Sequence, residues 1–175
     1  MGKAVKELKD AAEAMQRIYK GKSRQVLYSC LLLITAAILT PAWGAAEDRQ
    51  GQALVSAAMA GRVEQVKELL AQGVDVNSKN PAGRSALHLA AFNGNDLTVL
   101  ALVSAGADVN LADAKGATAL MDAAAFGHHV VVDILIQAGV DVNARDQAGK
   151  TALDYANQGG FNAIIKKLTD TAAVK

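Results

Sequence analysis

The triplet Asp-Val-Asn stands at residues 75–77, 108–110 and 141–143, and Gly83, Gly116 and Gly149 keep the same interval of 33 residues. A fixed period of this length limits the fold more than any other feature of the chain. One unit is too small to bury an apolar face of its own, so successive units have to stack, and a turn written identically in each keeps them in register. From Gly51 onward the sequence aligns with itself as GQALVSAAMAGRVEQVKELLAQGVDVN, RSALHLAAFNGNDLTVLALVSAGADVN, ATALMDAAAFGHHVVVDILIQAGVDVN and KTALDYANQGGFNAIIKKLTD, the last copy being cut short.

Within each copy apolar residues recur at helical spacing: Val66, Leu69 and Leu70, then Val99, Leu102 and Val103, then Val132, Leu135 and Ile136. Each copy therefore holds two short helices, expected in the second copy at about Ala86–Phe92 and Leu97–Ala105. Gly61, Gly94, Gly127 and Gly160 fall between the two helices, where the chain reverses within a few residues and a left-handed backbone costs little only for glycine. Gly73, Gly106 and Gly139 follow the second helix as its stop. Ser85, Thr118 and Thr151 precede the first helix, where a hydroxyl is expected to cap an unpaired backbone N–H.

The period, the Thr-Ala-Leu openings, the Ala-Ala-x-x-Gly turn, the apolar second helix and the Gly-x-Asp-Val-Asn exit together resemble ankyrin repeats over about two-thirds of the chain. The resemblance implies an all-α solenoid of about four helix-turn-helix units with short hairpin loops. Its repeats would lie at approximately 51–80, 81–113, 114–146 and 147–175, inside a domain of residues 47–175. It also implies that the hairpins and first helices line a concave face. One departure is systematic: the family opens its first helix with Thr-Pro-Leu-His, whereas Ala86, Ala119 and Ala152 replace the proline and only His88 keeps the histidine. Loss of the preorganised proline should loosen the repeats without changing the fold. Thr169, beside Lys166 and Lys167, takes the place of Leu70, Val103 and Ile136 in the last copy and marks a polar C-terminal cap.

Residues 1–46 read as an N-terminal extension and signal helix. Lys20, Lys22 and Arg24 precede an uncharged stretch whose densest part is Val26–Leu39, followed by Pro41 and small residues that place cleavage after Gly44 or Ala46. The alternative is an uncleaved membrane anchor, the one way in which this chain would meet a membrane. Met15 would give a more ordinary start than Met1. Residues 1–44 hold seven Lys and Arg against three Asp and Glu, which leaves eleven and fourteen for the rest of the chain and a body charge of −3. A mildly acidic body lacks the footprint that phosphate backbones require, which excludes a nucleic-acid partner. The one cysteine, Cys30, lies inside the apolar stretch, so the body is free of thiols, as suits an oxidising compartment.

Neither a catalytic set nor a metal site emerges. His128 and His129 are adjacent and project apart from a helix; His128 matches the Gly-His that opens the family's second helix, and His88 the histidine that bonds within the opening turn. Asp75, Asp108 and Asp141 repeat with the period, as do Asp113 and Asp146, so turn bonding accounts for them. The chain is expected to be no enzyme and to need no cofactor or metal. Binding residues are sought among those that differ between copies on the concave side: Arg84 and Lys150 after the hairpin glycine, Lys115 and Gln147 at the tips, and Phe92, Asn93 and Phe126 before the inter-helix glycine. Phe92 and Phe126 fit a binding anchor and a gap-filler between repeats equally well, while Tyr155 and Phe161 complete the end of the core. Arg84, Lys115 and Lys150 read as a basic strip that would favour an acidic partner surface.

The expectation is therefore an exported monomer, periplasmic in a Gram-negative bacterium or else secreted, that binds a protein partner through its concave face. Two roles fit: adaptor or protector of an envelope enzyme, or inhibitor or immunity protein against a toxin or hydrolase.

Overall fold

A computed structural model describes residues 49–173, which belong to one unit running from Ala46 to Lys175. The basic start, the apolar stretch and the cleavage positions at Gly44 and Ala46 lie outside the described residues. The described part is all-helical: α1 (49–59), α2 (Val63–Ala71), α3 (Ala86–Phe92), α4 (Asp96–Ser104), α5 (Ala119–Ala125), α6 (His129–Gln137), α7 (Ala152–Gly159) and α8 (Asn162–Ala172). The second helix of the second repeat thus begins one residue earlier than its apolar pattern indicates, because Asp96 already occupies the first turn.

Helices stack in two layers. First helices pack on first helices, α3 on α5 and α5 on α7, and second helices on second helices, α2 on α4, α4 on α6 and α6 on α8. Side chains one period apart form the core columns: Leu54, Leu87 and Leu120, then Val66, Val99 and Val132, then Leu102, Leu135 and Leu168 are all buried. Each such leucine contributes about 1.5–3 kcal/mol by leaving water. Buried alanines in register, Ala57, Ala90, Ala123 and Ala156, present only methyl groups between neighbouring first helices and let them approach closely.

The repeated triplet has two tasks. Its aspartate closes its own turn, with Asp75, Asp108 and Asp141 each accepting at Oδ1 from the N–H of the asparagine two residues on, at 2.9, 2.9 and 3.0 Å. Its asparagine ties that turn to the next: Asn77 Oδ1 accepts from Asp108 N–H at 2.9 Å, and Asn110 Oδ1 from Asp141 N–H at 2.7 Å. Asn80, Asp113 and Asp146 close their own hairpins at the fingertips, each accepting from the backbone N–H groups two and four residues on. Antiparallel bridges Lys79–Ser85 and Ala112–Thr118 close the first two of these hairpins.

Two of the three expected caps form. Ser85 pairs with His88 and Thr151 with Asp154 in reciprocal capping boxes at the starts of α3 and α7. Thr118 makes no cap, and its buried hydroxyl has no partner. The third residue of α5 is Met121, which offers no polar group to complete the box. The inter-helix glycines are needed on two counts. Gly94 and Gly127 have φ of +67° and +77°, and a Cβ on either would stand 2.5 Å from the ring of His128 or Phe161, which reach back from the next repeat. Ile164 and Leu168 of α8 are buried while Thr169 is exposed, so the last helix closes the core with a polar outer surface. Among the described residues no helix is long and apolar enough to cross a membrane.

Candidate protein-binding face

The first helices and the hairpins enclose a groove of about 460 Å³, lined chiefly by Arg84, Lys115, Met121, Asp122, Phe126 and Tyr155. Arg84 emerges from the hairpin before α3, and its backbone N–H is held by Asn80 Oδ1 at 3.0 Å. That anchored backbone aims the side chain across the repeat boundary. The guanidinium lies 5.0 Å above the Phe92 ring and donates to Asp122 Oδ2 on α5, with only 21 % of the Arg84 side chain and 16 % of the Asp122 side chain exposed. Arg84 Nε is buried without an acceptor.

Burial acts on this carboxylate more strongly than its ion pair does. Asp122 is raised from 3.8 to about 6, first because burial disfavours its charge, with Arg84 opposing and the Asp113 carboxylate adding to the rise. A close Arg–Asp contact ordinarily holds an aspartate down. Here one guanidinium is the whole compensation, since the Asp122 side chain bonds to no backbone N–H among the described residues. Asp146 shows the contrast: half-buried, and accepting from the Tyr155 hydroxyl and from two backbone N–H groups, it is lowered. Its bond from Tyr155, at 2.5 Å, raises that phenol to about 12 and keeps it a donor.

Phe92 and Phe126 meet with centroids 4.4 Å apart and planes tilted by 60°. Phe92 is half-buried, while Phe126 remains 51 % exposed at the mouth of the groove. Lys115 is an exposed fingertip residue, and Lys150 lies 5.5 Å from the centre of the Tyr155 ring. The structure therefore brings Arg84, Phe92, Lys115 and Phe126 together, with Lys150 beside them. Asn93 and Gln147 have other uses for their amides: Asn93 Nδ2 donates to Met59 O and Leu89 O, each at 3.1 Å, and Gln147 Nε2 to Ala114 O at 3.0 Å, so both join neighbouring repeats. The basic strip is corrected to a charge-balanced one, because Asp113, Asp122 and Asp146 stand among Arg84, Lys115 and Lys150.

The sequence does not single out Asp122 or Met121, and Tyr155, expected only to complete the end of the core, packs against that core and also lines the groove. The signal for Asp122 was present: its register is held by Leu89 one repeat earlier and by Tyr155 one repeat later, so it is an exception to the period. A second apolar surface also went unread. Leu97 and Leu100 on α4 are 65 % and 49 % exposed and, with Val63, Lys67 and Leu70, line a groove of about 610 Å³ on the second-helix layer. Its charged rim is already paired, Lys67 with Glu64 at 2.9 Å. The smaller groove is the stronger candidate because cation, carboxylate and aromatic groups converge there.

His88 is buried and structural. Its Nδ1 faces Ser85, and its Nε2 meets Ala117 O at 2.9 Å, which links α3 to the following hairpin. Burial lowers its basicity more than the Ala117 bond raises it, which favours a neutral ring donating from Nε2. His128 Nε2 similarly meets Phe92 O at 3.0 Å.

A family model described as ankyrin repeats (3 copies) matches residues 29–113 and 98–175. The chain belongs to the ankyrin-repeat family. Two curated relatives are mitochondrial disaggregases: the human protein is 40 % identical over 74 residues, covering 42 % of this chain and 10 % of its own length, and the bovine one 35 % identical over 63 residues, covering 36 % and 9 %. The chain thus spans about a tenth of these relatives. Ankyrin repeats are generally non-catalytic, and they mark this chain as a protein-interaction module.

Proposed function

We propose that this chain is an exported interaction module that binds a protein partner through its concave groove, as adaptor or protector of an envelope enzyme. The observation that carries the binding surface is Phe126: half-exposed, braced on Phe92 and next to Arg84, it has the placement of an anchor and not of a filler between repeats. Aromatic side chains so placed supply much of the affinity of an interface because they bury a large area with few rotatable bonds. Export rests on the basic start, the apolar stretch and the small residues before Ala46. The disaggregase activity named for the relatives is not part of this reading, since the likeness covers only a tenth of those proteins.

The test begins with capture of the partner from the extracytoplasmic fraction by the full chain and by its Phe126→Ala variant. The reading expects a soluble mature chain that starts near Ala45 or Glu47 by intact mass, and a captured enzyme that is lost with Phe126→Ala and stays active when bound. Full-length chain found only in membranes overturns export. Capture undiminished by Phe126→Ala overturns the concave face. Loss of the enzyme's activity at equimolar ratio replaces the protector role with an inhibitory one.

A further inference from the structure

The three carboxylates in the groove are not equivalent. Asp113 and Asp146 each accept two backbone N–H bonds at Oδ1 and are part of the hairpins. Among the described residues Asp122 bonds only to the Arg84 guanidinium, and it occupies a register where neighbouring repeats carry Leu89 and Tyr155, so the stack does not need an acid there. Arg84, in turn, is fixed by the Asn80 bond to its backbone and by the Phe92 ring beneath it, and its Nε–H is buried without an acceptor. A guanidinium has donors along two edges and suits a planar carboxylate that accepts two of them. Here one internal carboxylate takes an Nη2 hydrogen, and the buried Nε–H is left without an acceptor.

We propose that Arg84 is a carboxylate-recognition site for an acidic side chain in an extended segment of the partner, for which Asp122 acts as the internal, exchangeable counter-ion. The inference rests on the concave-face reading above and names the chemistry that face selects. The partner segment lies along the groove with an apolar residue on Phe126 and Met121 and its acid on Arg84, while Lys115 at the fingertip draws the acid in. A single carboxylate fits better than a phosphate, because Asp113 and Asp122 line the groove beside Arg84 and repel a dianion more strongly.

Exchange of one carboxylate for another at a single guanidinium requires the displaced one to lose its charge or reach solvent. The groups facing Asp122 are Arg84 from the hairpin before α3, Asp113 from the hairpin before α5, and Tyr155 from α7, with Lys115 farther out along the groove. Among the groups in contact with it Arg84 is the one that favours the ionised form, and it is the group the partner takes. Binding is therefore coupled to proton uptake by Asp122, and affinity for an acidic segment falls as pH rises above about 6, by about tenfold per pH unit.

The probe is a random twelve-residue peptide library displayed on phage and selected on the full chain at pH 6 and at pH 8. Enriched sequences are then synthesised with a fluorescent label, each beside a copy whose acid is changed to the amide. The expected result is a single Asp or Glu next to an apolar residue, at least tenfold loss in the amide copy, and affinity that falls from pH 6 to pH 8. Asp122→Asn should bind the same peptides with no such fall. Arg84→Gln, confirmed as folded by circular dichroism, should no longer distinguish acid from amide. Peptides without an acid that need Phe126 but not Arg84 overturn this inference and leave the concave face standing. Peptides indifferent to Phe126→Ala but lost in Leu97→Glu overturn both. A library that yields no binder at either pH overturns the assignment of an extended acidic ligand.

Discussion

Changing Asp122 to Asn should stabilise the protein at neutral pH although it removes one partner of an ion pair. The unfolded chain ionises this carboxyl near 3.8, whereas burial in the groove raises it to about 6. Between those values the folded state holds the proton more tightly than the unfolded state, so stability falls as pH rises through the window and is regained on acidification. A tenfold difference in proton affinity corresponds to about 1.4 kcal/mol, so the rise from 3.8 to about 6, already net of the attraction of Arg84, costs the native state about 3 kcal/mol once Asp122 is fully charged. Asparagine has the same shape, still accepts from Arg84 and carries no charge to desolvate. The two proteins should match within about 1 kcal/mol near pH 4 and diverge to about 3 kcal/mol in favour of the variant by pH 7 to 8. Urea unfolding followed by far-ultraviolet circular dichroism across that range gives the difference directly. Asp146 and Asp154 titrate alike in both proteins and cancel from it. A difference that stays flat with pH, or one that favours the wild type increasingly above pH 6, would refute the argument, since either shows that Arg84 outweighs burial.

Phe126→Ala should lower the melting temperature by only a few degrees, because half of the ring is in solvent and its contact with Phe92 contributes about 0.5–1.5 kcal/mol, while costing about 2 kcal/mol of partner affinity by titration calorimetry. His88→Ala should destabilise by about 3 kcal/mol in the same urea assay, since it removes the capping box of α3, the tie to Ala117 O and a fully buried ring together. Gly127→Ala should cost about 1–3 kcal/mol from backbone strain and the displacement of Phe161, whereas alanine at Gly139, equally left-handed but with open space beside it, should cost less. Removal of residues 147–175 takes away α7 and α8 and uncovers Leu120 and Leu135; light scattering should detect association of the truncated chain, and a soluble monomer with the full-length melting curve would contradict the cap.

The fold was legible because everything that specifies it is local and written several times. A reader of Asp108-Val109-Asn110 needs only the chain on either side to see a turn, and the same turn 33 residues away to see a stack. What the period could not convey is how one repeat's side chain meets the next repeat's. Arg84 and Asp122 are 38 residues apart and lie on different kinds of element, a hairpin and a helix, so no register within one copy pairs them. Counting Arg84, Lys115 and Lys150 as a basic strip failed for that reason: the cations were read along the hairpins, and the acid that balances Arg84 comes from a helix. The exposed Leu97 and Leu100 escaped for a related one. An apolar second helix offers more leucine than one buried column can use, and the pattern does not say which residues remain outside.

In a stack of near-identical units, selection for folding acts on every copy in the same way, so a residue that serves the fold tends to recur in register. The register of Ser56, Leu89, Asp122 and Tyr155 does not recur, and in the last two copies it lines the groove. The other three copies place an uncharged residue there, and the charge of Asp122 goes against them, at a cost in stability that the asparagine variant measures. A destabilising exception at a surface-facing register has to be explained by something other than the stack. Arg84 alone does not explain it, because the stack does not require an arginine there either: its own register is occupied by Ala117 and Lys150 in the following repeats. The pair is therefore better understood as one device, a cation held rigid over Phe92 with a weakly held counter-ion, than as a stabilising salt bridge. This is the same property that the peptide selection and the pH series approach from opposite sides, one through what replaces Asp122 on Arg84 and the other through what Asp122 costs when nothing does.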